Sequence, residues 1–155
     1  MNIPDYAQVA KDLEHLIKGD GSLLDEDREK VARDTSLFYI KPEMVIYPKH
    51  AQDISKVVEY VATKKKEGFD IAVSMRSAGT CMTGGPLCHS IVLDTTRYMN
   101  HISDVTGTSA SAEPGVYYRD FEKQTLAAGW LMPSYPASRE LAAMGGLISN
   151  NSGGE

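Results

Sequence analysis

The residues best suited to chemistry lie in a glycine-rich stretch, residues 76–86, which reads R-S-A-G-T-C-M-T-G-G-P. It lies between two apolar runs, residues 71–75 and 90–94, which are rich in β-branched residues and are predicted to be short buried strands. Glycines with small neighbours let the backbone turn sharply and gather several N–H groups on one concave surface. Such a surface binds anions, most often phosphate. The stretch is therefore predicted to be an anion-binding loop that joins two strands.

Two familiar phosphate loops do not fit this stretch. Gly79 and Gly84 have the G-x-x-x-x-G spacing of a nucleoside-triphosphate loop, but Gly85 and Pro86 follow where that loop needs a lysine and a hydroxyl residue. A Rossmann fingerprint requires G-x-G-x-x-G at the start of a helix, whereas here another strand follows the loop. The remaining alternative is a loop shaped by turn geometry alone, without a ligand.

The composition limits the class of protein. A chain of 155 residues with 42% hydrophobic and 24% charged residues is globular, with room for one domain or two small subdomains. A net charge of -5 argues against a nucleic-acid partner, because such a partner needs clustered Lys and Arg. The sequence has neither an apolar run long enough to span a membrane nor an export signal at its start, so a cytoplasmic location is expected.

Cysteine and histidine provide no recognisable metal site. Cys81 and Cys88 have only His89 nearby, which is a poor ligand set for zinc, and a reducing compartment disfavours a disulfide. We therefore expect no metal, with Cys81 a small loop residue and Cys88 a buried one. The histidines are predicted to be surface or packing residues rather than catalytic bases: His15, His50, His89 and His101.

The first half of the chain predicts a strand–helix–strand unit. An amphipathic helix over residues 5–18 comes first, and the charge-rich segment 22–34 is predicted to be a turn or short solvated helix without a functional role. A strand at 44–47 and a helix at 51–66 precede the strand at 71–75. Right-handed crossover makes the two strands parallel neighbours, so the glycine-rich loop follows the carboxyl end of a buried strand, where α/β sheets bind ligands.

The second half contains another glycine-rich stretch. A turn at 113–115 precedes a predicted helix at 117–128, then an extended segment at 131–138 and a short helix at 139–144. The chain then reads G-G-L-I-S-N-N-S-G-G-E over residues 145–155, which combines small residues with side-chain amides. Two separated glycine-rich stretches suggest a long ligand held at two places, and this favours a dinucleotide.

The order of these motifs resembles a known family. An R-x-x-G-T loop with G-G after it, an apolar strand ending in Asp, E-P-G, P-x-S and the final G-G-L-I-S-N-N-S-G-G follow one another from about residue 39 to residue 155. This series is similar to the FAD-binding domain of the FAD-linked oxidases, with the PCMH-type or vanillyl-alcohol-oxidase-like fold. It is most similar to the branch of D-lactate, glycolate and other D-2-hydroxy acid dehydrogenases.

The resemblance implies an α+β, PCMH-type FAD-binding fold. A small parallel βαβ subdomain would be followed by the start of a mixed or antiparallel sheet subdomain with helices. The implied domains are an N-terminal helical segment at 1–38, a first FAD-binding subdomain at 39–108 and the truncated start of a second at 109–155. The chain would be an N-terminal piece of a larger flavoenzyme, whose remaining cap or substrate domain would be its partner.

The resemblance also assigns residues to the cofactor. Residues 76–85 would wrap the FAD pyrophosphate, and the implied contacts are Arg76, Ser77, Ala78, Gly79, Thr80, Cys81, Met82, Gly84 and Gly85. The ribityl and pyrophosphate region would be lined by Pro136, Ser138, Gly145 and Gly146, while Asn150 and Asn151 would approach the flavin ring. Thr80 stands where some members attach FAD through a histidine, so non-covalent FAD is expected. Ala143 replaces a frequent hydroxyl residue, which removes a hydrogen bond worth roughly 1 kcal/mol.

The implied activity is that of an FAD-linked oxidase or dehydrogenase acting on CH–OH donors. The parent enzyme would oxidise a 2-hydroxy acid such as D-lactate or glycolate, with a hydride equivalent passing to flavin N5, while this piece alone is not expected to turn over. The alternative is a non-catalytic nucleotide-binding or assembly module of a larger complex. A truncated second subdomain would leave an open sheet edge and an apolar face, so a homo-oligomer, such as a dimer, is also expected.

Overall fold

A computed structural model describes residues 2–154 of the chain. Met1 and Glu155 lie outside the described residues. The first residue of the predicted segment 1–38 and the last residue of the predicted segment 109–155 are therefore not described. The described chain divides into two compact units, the first made of residues 2–76 and 81–94 and the second of residues 77–80 and 95–154. The predicted limits of the functional domains remain predictions. Among the described residues, no helix is long and apolar enough to cross a membrane.

The first unit is built on a four-stranded mixed sheet with strand order β1-β2-β4-β3. The strands are β1 (Asp20–Ser22), β2 (Met44–Tyr47), β3 (Val73–Arg76) and β4 (Ile91–Asp94). The three strands β2, β4 and β3 are parallel, and β1 runs antiparallel to β2. Together with the helices, this mixed sheet confirms the predicted α+β class.

The strand order corrects one prediction. The strands at 44–47 and 71–75 are parallel, as predicted, but they are not neighbours, because β4 lies between them and pairs with both. β4 reads I-V-L-D and its three apolar residues are buried, whereas β3 reads V-S-M-R and is only half-buried. The two strands whose apolar residues are all buried, β2 and β4, take the two inner positions of the sheet, whereas the half-buried β3 lies at an edge.

The position of β3 corrects a second prediction. β3 is an edge strand rather than a buried one, and its Met75 side chain is 45% exposed. The connection from β3 to β4 covers residues 77–90 and joins two parallel strands, which always requires a long crossover. The glycine-rich loop is therefore this crossover, and it follows the carboxyl end of an edge strand.

Three helices belong to the first unit: α1 (Tyr6–Glu14), α2 (Asp25–Lys30) and α3 (Ala51–Lys66). Helix α3 has the predicted bounds, whereas α1 ends earlier than the predicted residue 18. One face of the sheet forms a core with apolar side chains of α1 and α3, whose members are Val9, Leu13, Ile17, Met44, Ile46, Val57, Val61, Ile71, Ile91 and Leu93. This core fixes β3 and β4, and with them both ends of the crossover.

Asp53, in the first turn of α3, joins two backbone segments through hydrogen bonds. Its side chain is buried, and its two carboxylate oxygens accept hydrogen bonds from the backbone N–H groups of Lys18 and Lys49, each at 2.9 Å. Burial on its own raises the pKa of the Asp53 carboxyl, but these N–H donors outweigh it, so the pKa lies below its ordinary value. The charged carboxylate therefore stabilises the segment before β1 and the start of α3.

We expect Asp53→Asn to lower the free energy of unfolding at neutral pH by about 1–2 kcal/mol, since one of the two N–H donors then faces an amide NH₂. Because the folded pKa is lowered, the wild-type advantage is complete above the unfolded pKa of about 4 and is lost as the pH falls through the folded value. Urea unfolding at several pH values measures the difference between the two proteins. A difference that is constant down to acidic pH would contradict this role of the charge.

The second unit holds helices α4 (Tyr118–Ala127) and α5 (Met144–Ser149). Segments 114–118 and 142–145 are joined by backbone hydrogen bonds, from Tyr118 N–H to Ala142 O, Met144 N–H to Val116 O and Gly145 N–H to Pro114 O. Within the described part of this unit, antiparallel pairing is limited to single bridges such as that between Tyr117 and Ala143. This pairing holds the start of α5 beside the turn at 113–115.

The last helix corrects a third prediction. A helix was predicted over residues 139–144, but residues 137–141 form a turn closed by hydrogen bonds to Ser138 O, and Ala143 is extended. The helix instead begins at Met144 and contains Gly145 and Gly146, which are poor helix formers. The close approach of Gly145 to Ser77 and Pro114, a tertiary contact, therefore outweighs helix propensity at the start of this helix.

Candidate functional site

The predicted pyrophosphate residues are divided between the two units. Arg76 ends β3 in the first unit, and its guanidinium lies 3.4 Å from Val31 O. Also in the first unit, Met82 is largely exposed, and Gly84 adopts a left-handed conformation with φ of 79°. The remaining first-unit contacts predicted from the sequence are Cys81 and Gly85, and the second unit contains Ser77, Ala78, Gly79 and Thr80.

Within the first unit, the polar groups of the loop bind to one another and to an earlier segment. Gly84 N–H donates to a carboxylate oxygen of Asp34 at 2.9 Å, so this N–H is already engaged by the protein. A Cβ on Gly85 would lie 3.3 Å from Cys81 Sγ. Hydrogen bonds from the Thr83 hydroxyl and backbone lower the pKa of the Cys81 thiol. These contacts within the protein define the backbone path of residues 81–85.

Cys88 corrects one further prediction, since its side chain is partly exposed rather than buried. Cys88 closes no bridge, and Cys81 is likewise a free thiol. Cys88 Sγ accepts a hydrogen bond from Ser90 N–H, which is a turn contact just before β4. Neither thiol therefore cross-links the crossover between β3 and β4.

Within the second unit, segment 77–80 lies against the start of α5. A Cβ on Gly145 would lie 2.7 Å from Ser77 Oγ and 2.8 Å from Pro114 Cβ, so only glycine permits this approach. The Ser77 hydroxyl is also 3.1 Å from the hydroxyl of Thr95. The two glycine-rich stretches recognised in the sequence therefore converge at Ser77 and Gly145.

Gly79 and Gly146 are suited to close approach of a phosphate chain, Gly79 through its backbone conformation and Gly146 through the open space beside it. Gly79 has φ of 73°, a conformation that side-chain-bearing residues rarely adopt. A Cβ on Gly146 would meet no atom within 4 Å, so the helix surface there is open. A turn of small residues beside an uncovered glycine fits the backbone contacts that a dinucleotide pyrophosphate makes.

The two asparagines form the end of α5. Asn150 is the C-cap, and Asn151 has φ of 46°, the left-handed conformation in which helices commonly stop. Asn151 N–H donates to Ile148 O, and Ser152 N–H donates to Leu147 O. This pair of bonds is a Schellman motif. The sequence pattern at 150–152 thus has a structural role, and contact of its amides with a flavin ring remains a prediction.

Pro136 directly precedes the turn at 137–141, Ser138 lies within that turn, and this stretch is held from two sides. Ser138 O accepts the hydrogen bonds that close the turn at 137–141. A Cβ on Gly154 would lie 2.8 Å from Ala137 N and 2.9 Å from the carbonyl carbon of Pro136, so the chain passes Gly154 closely. The protein therefore holds this segment in place within the second unit, so that its groups could contact a cofactor at a defined position.

Asp34 and Thr35 were not predicted to have a role. The charge-rich segment 22–34 is predicted to have no functional role, but Asp34 accepts a hydrogen bond from Gly84 N–H. The next residue, Thr35, donates from its N–H and its hydroxyl to Cys81 O at 3.1 and 2.8 Å. The pattern D-T-S fits a side chain that bonds to its own backbone two residues on. No pattern in the sequence, however, indicates that Asp34 accepts a hydrogen bond from Gly84, fifty residues later.

The mixed sheet, the glycine-rich crossover and the close approach of Ser77 to Gly145 define an α+β class of protein with backbone suited to a dinucleotide. Residues 42–155 match the family described as FAD binding domain, and the chain belongs to this family. FAD is its cofactor, as predicted. The predicted resemblance to the FAD-linked oxidases is confirmed as well.

Two curated relatives show where the similarity extends. The D-2-hydroxyglutarate dehydrogenase of Escherichia coli (strain K12) is 22% identical over 139 residues, which are 88% of this chain and 14% of the relative. The glycolate oxidase subunit GlcD of Bacillus subtilis (strain 168) is 27% identical over 124 residues, which are 77% of this chain and 25% of the relative. The chain thus spans 25% or less of the length of these relatives.

A solved structure shows the same fold. Alkyldihydroxyacetonephosphate synthase superposes with a TM-score of 0.80 at 18% identity, over 99% of this chain and 30% of that one. At this level of identity the likeness concerns the fold alone. It confirms the predicted PCMH-type FAD-binding fold.

Proposed function

We propose that this chain is the FAD-binding part of a flavin-dependent dehydrogenase or oxidase that oxidises a 2-hydroxy acid such as D-lactate or glycolate. The match of residues 42–155 to the FAD binding domain family carries the proposal. Two relatives are named for a 2-hydroxy acid, D-2-hydroxyglutarate in one and glycolate in the other, and this supports the substrate class. When bound, FAD would supply the redox chemistry by accepting a hydride equivalent at flavin N5.

The chain's own residues would bind and orient the cofactor. In the second unit, backbone groups of Ser77, Gly79 and Thr80 and the open surface at Gly146 would contact the pyrophosphate. Pro136 and Ser138 would border the ribityl chain, and Asn150 and Asn151 the flavin ring. In the first unit, the proposed contacts are Arg76, Cys81, Met82, Gly84 and Gly85. Where Gly84 N–H already donates to Asp34, we expect the residue to shape the loop rather than to donate to phosphate.

We further propose that FAD is held without a covalent bond, because a threonine hydroxyl at position 80 is a far weaker nucleophile for the flavin than a histidine ring nitrogen. Denaturing the holoprotein in acid should release all of the flavin into the supernatant. Flavin that stays with the precipitated chain after this treatment would contradict the proposal.

The test of the function has two stages. The purified chain is mixed with FAD, and uptake is followed by the visible absorbance and fluorescence of the flavin; a chain that takes up no FAD would favour an assembly module instead. The full product of its gene is then mixed, under anaerobic conditions, with D-lactate, glycolate and D-2-hydroxyglutarate. L-lactate and L-2-hydroxyglutarate are tested in the same way. We expect a D-2-hydroxy acid to bleach the flavin. Bound flavin that no 2-hydroxy acid reduces would contradict the substrate class.

The predicted homo-oligomer also remains a proposal. Its support is a set of exposed apolar side chains in the second unit, among them Leu131, Leu141 and Ile148, which are 57%, 61% and 69% exposed. Light scattering over a range of concentrations gives the mass directly. A monomer at the highest concentration would contradict self-association.

A further inference from the structure

The segment that follows α2 holds half of the glycine-rich loop in place. Asp34 binds Gly84 N–H with one carboxylate oxygen at 2.9 Å, while its other oxygen accepts from Ser36 N–H, also at 2.9 Å, and from the Ser36 hydroxyl. Both oxygens are therefore engaged, so the carboxylate cannot rotate without breaking a bond. Asp34 connects a rigid local turn to the loop.

Two neighbours of Asp34 fix the same part of the loop. The N–H and the hydroxyl of Thr35 both donate to Cys81 O. The Phe38 ring lies against Gly84, where an added Cβ would come within 3.0 Å of the ring. Gly84 is held in a left-handed conformation with φ of 79°, which costs glycine little. Contacts from Asp34, Thr35 and Phe38 thus set the backbone path of residues 81–84.

A carboxylate at this place argues against a role as a direct ligand of phosphate. Two anions repel each other, and Gly84 N–H, which could otherwise face a phosphate, is turned to Asp34. Burial raises the pKa of Asp34, but the hydrogen bonds from Ser36 and Gly84 outweigh it and keep the pKa below its ordinary value. The group therefore stays charged near neutral pH and keeps its hold on Gly84.

We propose that Asp34 is a positioning residue for the pyrophosphate loop, with Thr35 and Phe38 as its supports. This inference rests on the proposed function, because it concerns how the chain prepares the loop for the FAD diphosphate. Ordering the loop before the cofactor arrives removes an entropic cost from binding. The segment contributes to affinity without touching the ligand.

The test compares Asp34→Asn with Asp70→Asn, which removes the same charge from an exposed position in the first unit. Equilibrium dialysis measures three ligands: FAD and ADP, which contain the diphosphate, and riboflavin, which does not. We expect Asp34→Asn to weaken FAD and ADP by the same factor of roughly ten, the effect of losing one hydrogen bond to a charged group. Riboflavin binding should not change, and Asp70→Asn should behave as wild type.

A second measurement needs no ligand. Amide hydrogen exchange at Gly84 in the FAD-free protein should be slow in wild type and in Asp70→Asn, and fast in Asp34→Asn, because the N–H then loses its charged acceptor. Together with selective loss of FAD and ADP binding, this result supports the positioning role.

Three outcomes would overturn the inference. Unchanged FAD affinity in Asp34→Asn would contradict the positioning role of Asp34 and would leave the proposed function intact. Equal weakening of FAD and riboflavin would show general damage to the fold instead of control of the diphosphate loop. Failure of the wild-type chain to bind FAD would overturn the proposed function, and this inference with it.

Discussion

Gly145→Ala should destabilise the second unit by about 3 kcal/mol, because the added methyl has no space and overpacking costs this much when the neighbours are fixed. The methyl would lie 2.7 Å from Ser77 Oγ, 2.8 Å from Pro114 Cβ and 3.0 Å from Pro114 O. Pro114 cannot withdraw easily, since its carbonyl accepts the hydrogen bond from Gly145 N–H that pairs the two segments. Urea unfolding of the variant gives the loss directly.

Gly146→Ala is the matched control, one residue along the same helix. Its methyl would meet no atom of the protein within 4 Å, and alanine is a better helix former than glycine by up to about 1 kcal/mol. We therefore expect unchanged or higher stability. If the open surface at Gly146 receives the cofactor, the same variant should lose FAD affinity. Equal stability of the two variants, or full FAD binding by Gly146→Ala, would contradict this pair of predictions.

These glycines also explain why the position of α5 was not predicted from the sequence. Helix propensity favours R-E-L-A-A-M at 139–144 and disfavours a helix start that contains two glycines. The structure reverses this preference, because Gly145 must approach Ser77 and Pro114, which are distant in sequence. Propensity costs at most about 1 kcal/mol for each glycine, so a close tertiary contact outweighs it.

The strand order was only partly predictable for a related reason. Strand β2 and helix α3 have the predicted bounds, because Pro42, Pro48 and Gly68 mark their limits clearly. The crossover rule correctly makes β2 and β3 parallel, but it does not exclude the insertion of a later strand between them. Strand β1 was missed altogether, since D-G-S has no strand propensity and pairs with β2 through its backbone alone.

The candidate site shows the same division between local and distant signals. The glycine-rich loop was recognised because its residues are consecutive, and the convergence of its start with Gly145 is now visible at Ser77. The contact between Asp34 and Gly84 has no local signal, because a carboxylate in a charge-rich segment looks like any solvated acid. Candidate cofactor contacts were therefore easier to propose from the sequence than residues, such as Asp34, that hold the glycine-rich loop.

A partly buried ion pair, between Glu122 and Arg139, holds the segment that carries Pro136 and Ser138. Glu122 of α4 is buried, and its carboxylate accepts a hydrogen bond from the Arg139 guanidinium and another, at 3.2 Å, from the Tyr118 hydroxyl. The same guanidinium lies 4.8 Å from the centre of the Tyr135 ring. Burial and the nearby Glu122 charge raise the pKa of Tyr118 to about 12, which keeps this hydroxyl protonated as a donor.

Glu122→Gln should lower the free energy of unfolding by about 2 kcal/mol. Removing one partner of a fully buried pair costs about 3–5 kcal/mol, and we expect less here because the Arg139 side chain is 40% exposed and water screens part of its charge. The amide preserves the size of the side chain and an acceptor for Tyr118, so the loss reports the charge. Urea unfolding at neutral pH measures it.

The double variant Glu122→Gln/Arg139→Gln separates coupling from simple loss of contacts. Because the uncompensated charge left by the first change is removed by the second, the double variant should be less destabilised than the sum of the two single variants. A double variant that equals this sum would show that Glu122 and Arg139 act independently. In that case the packing of Tyr118 against Tyr135, whose ring centres are 5.6 Å apart, would hold the segment instead.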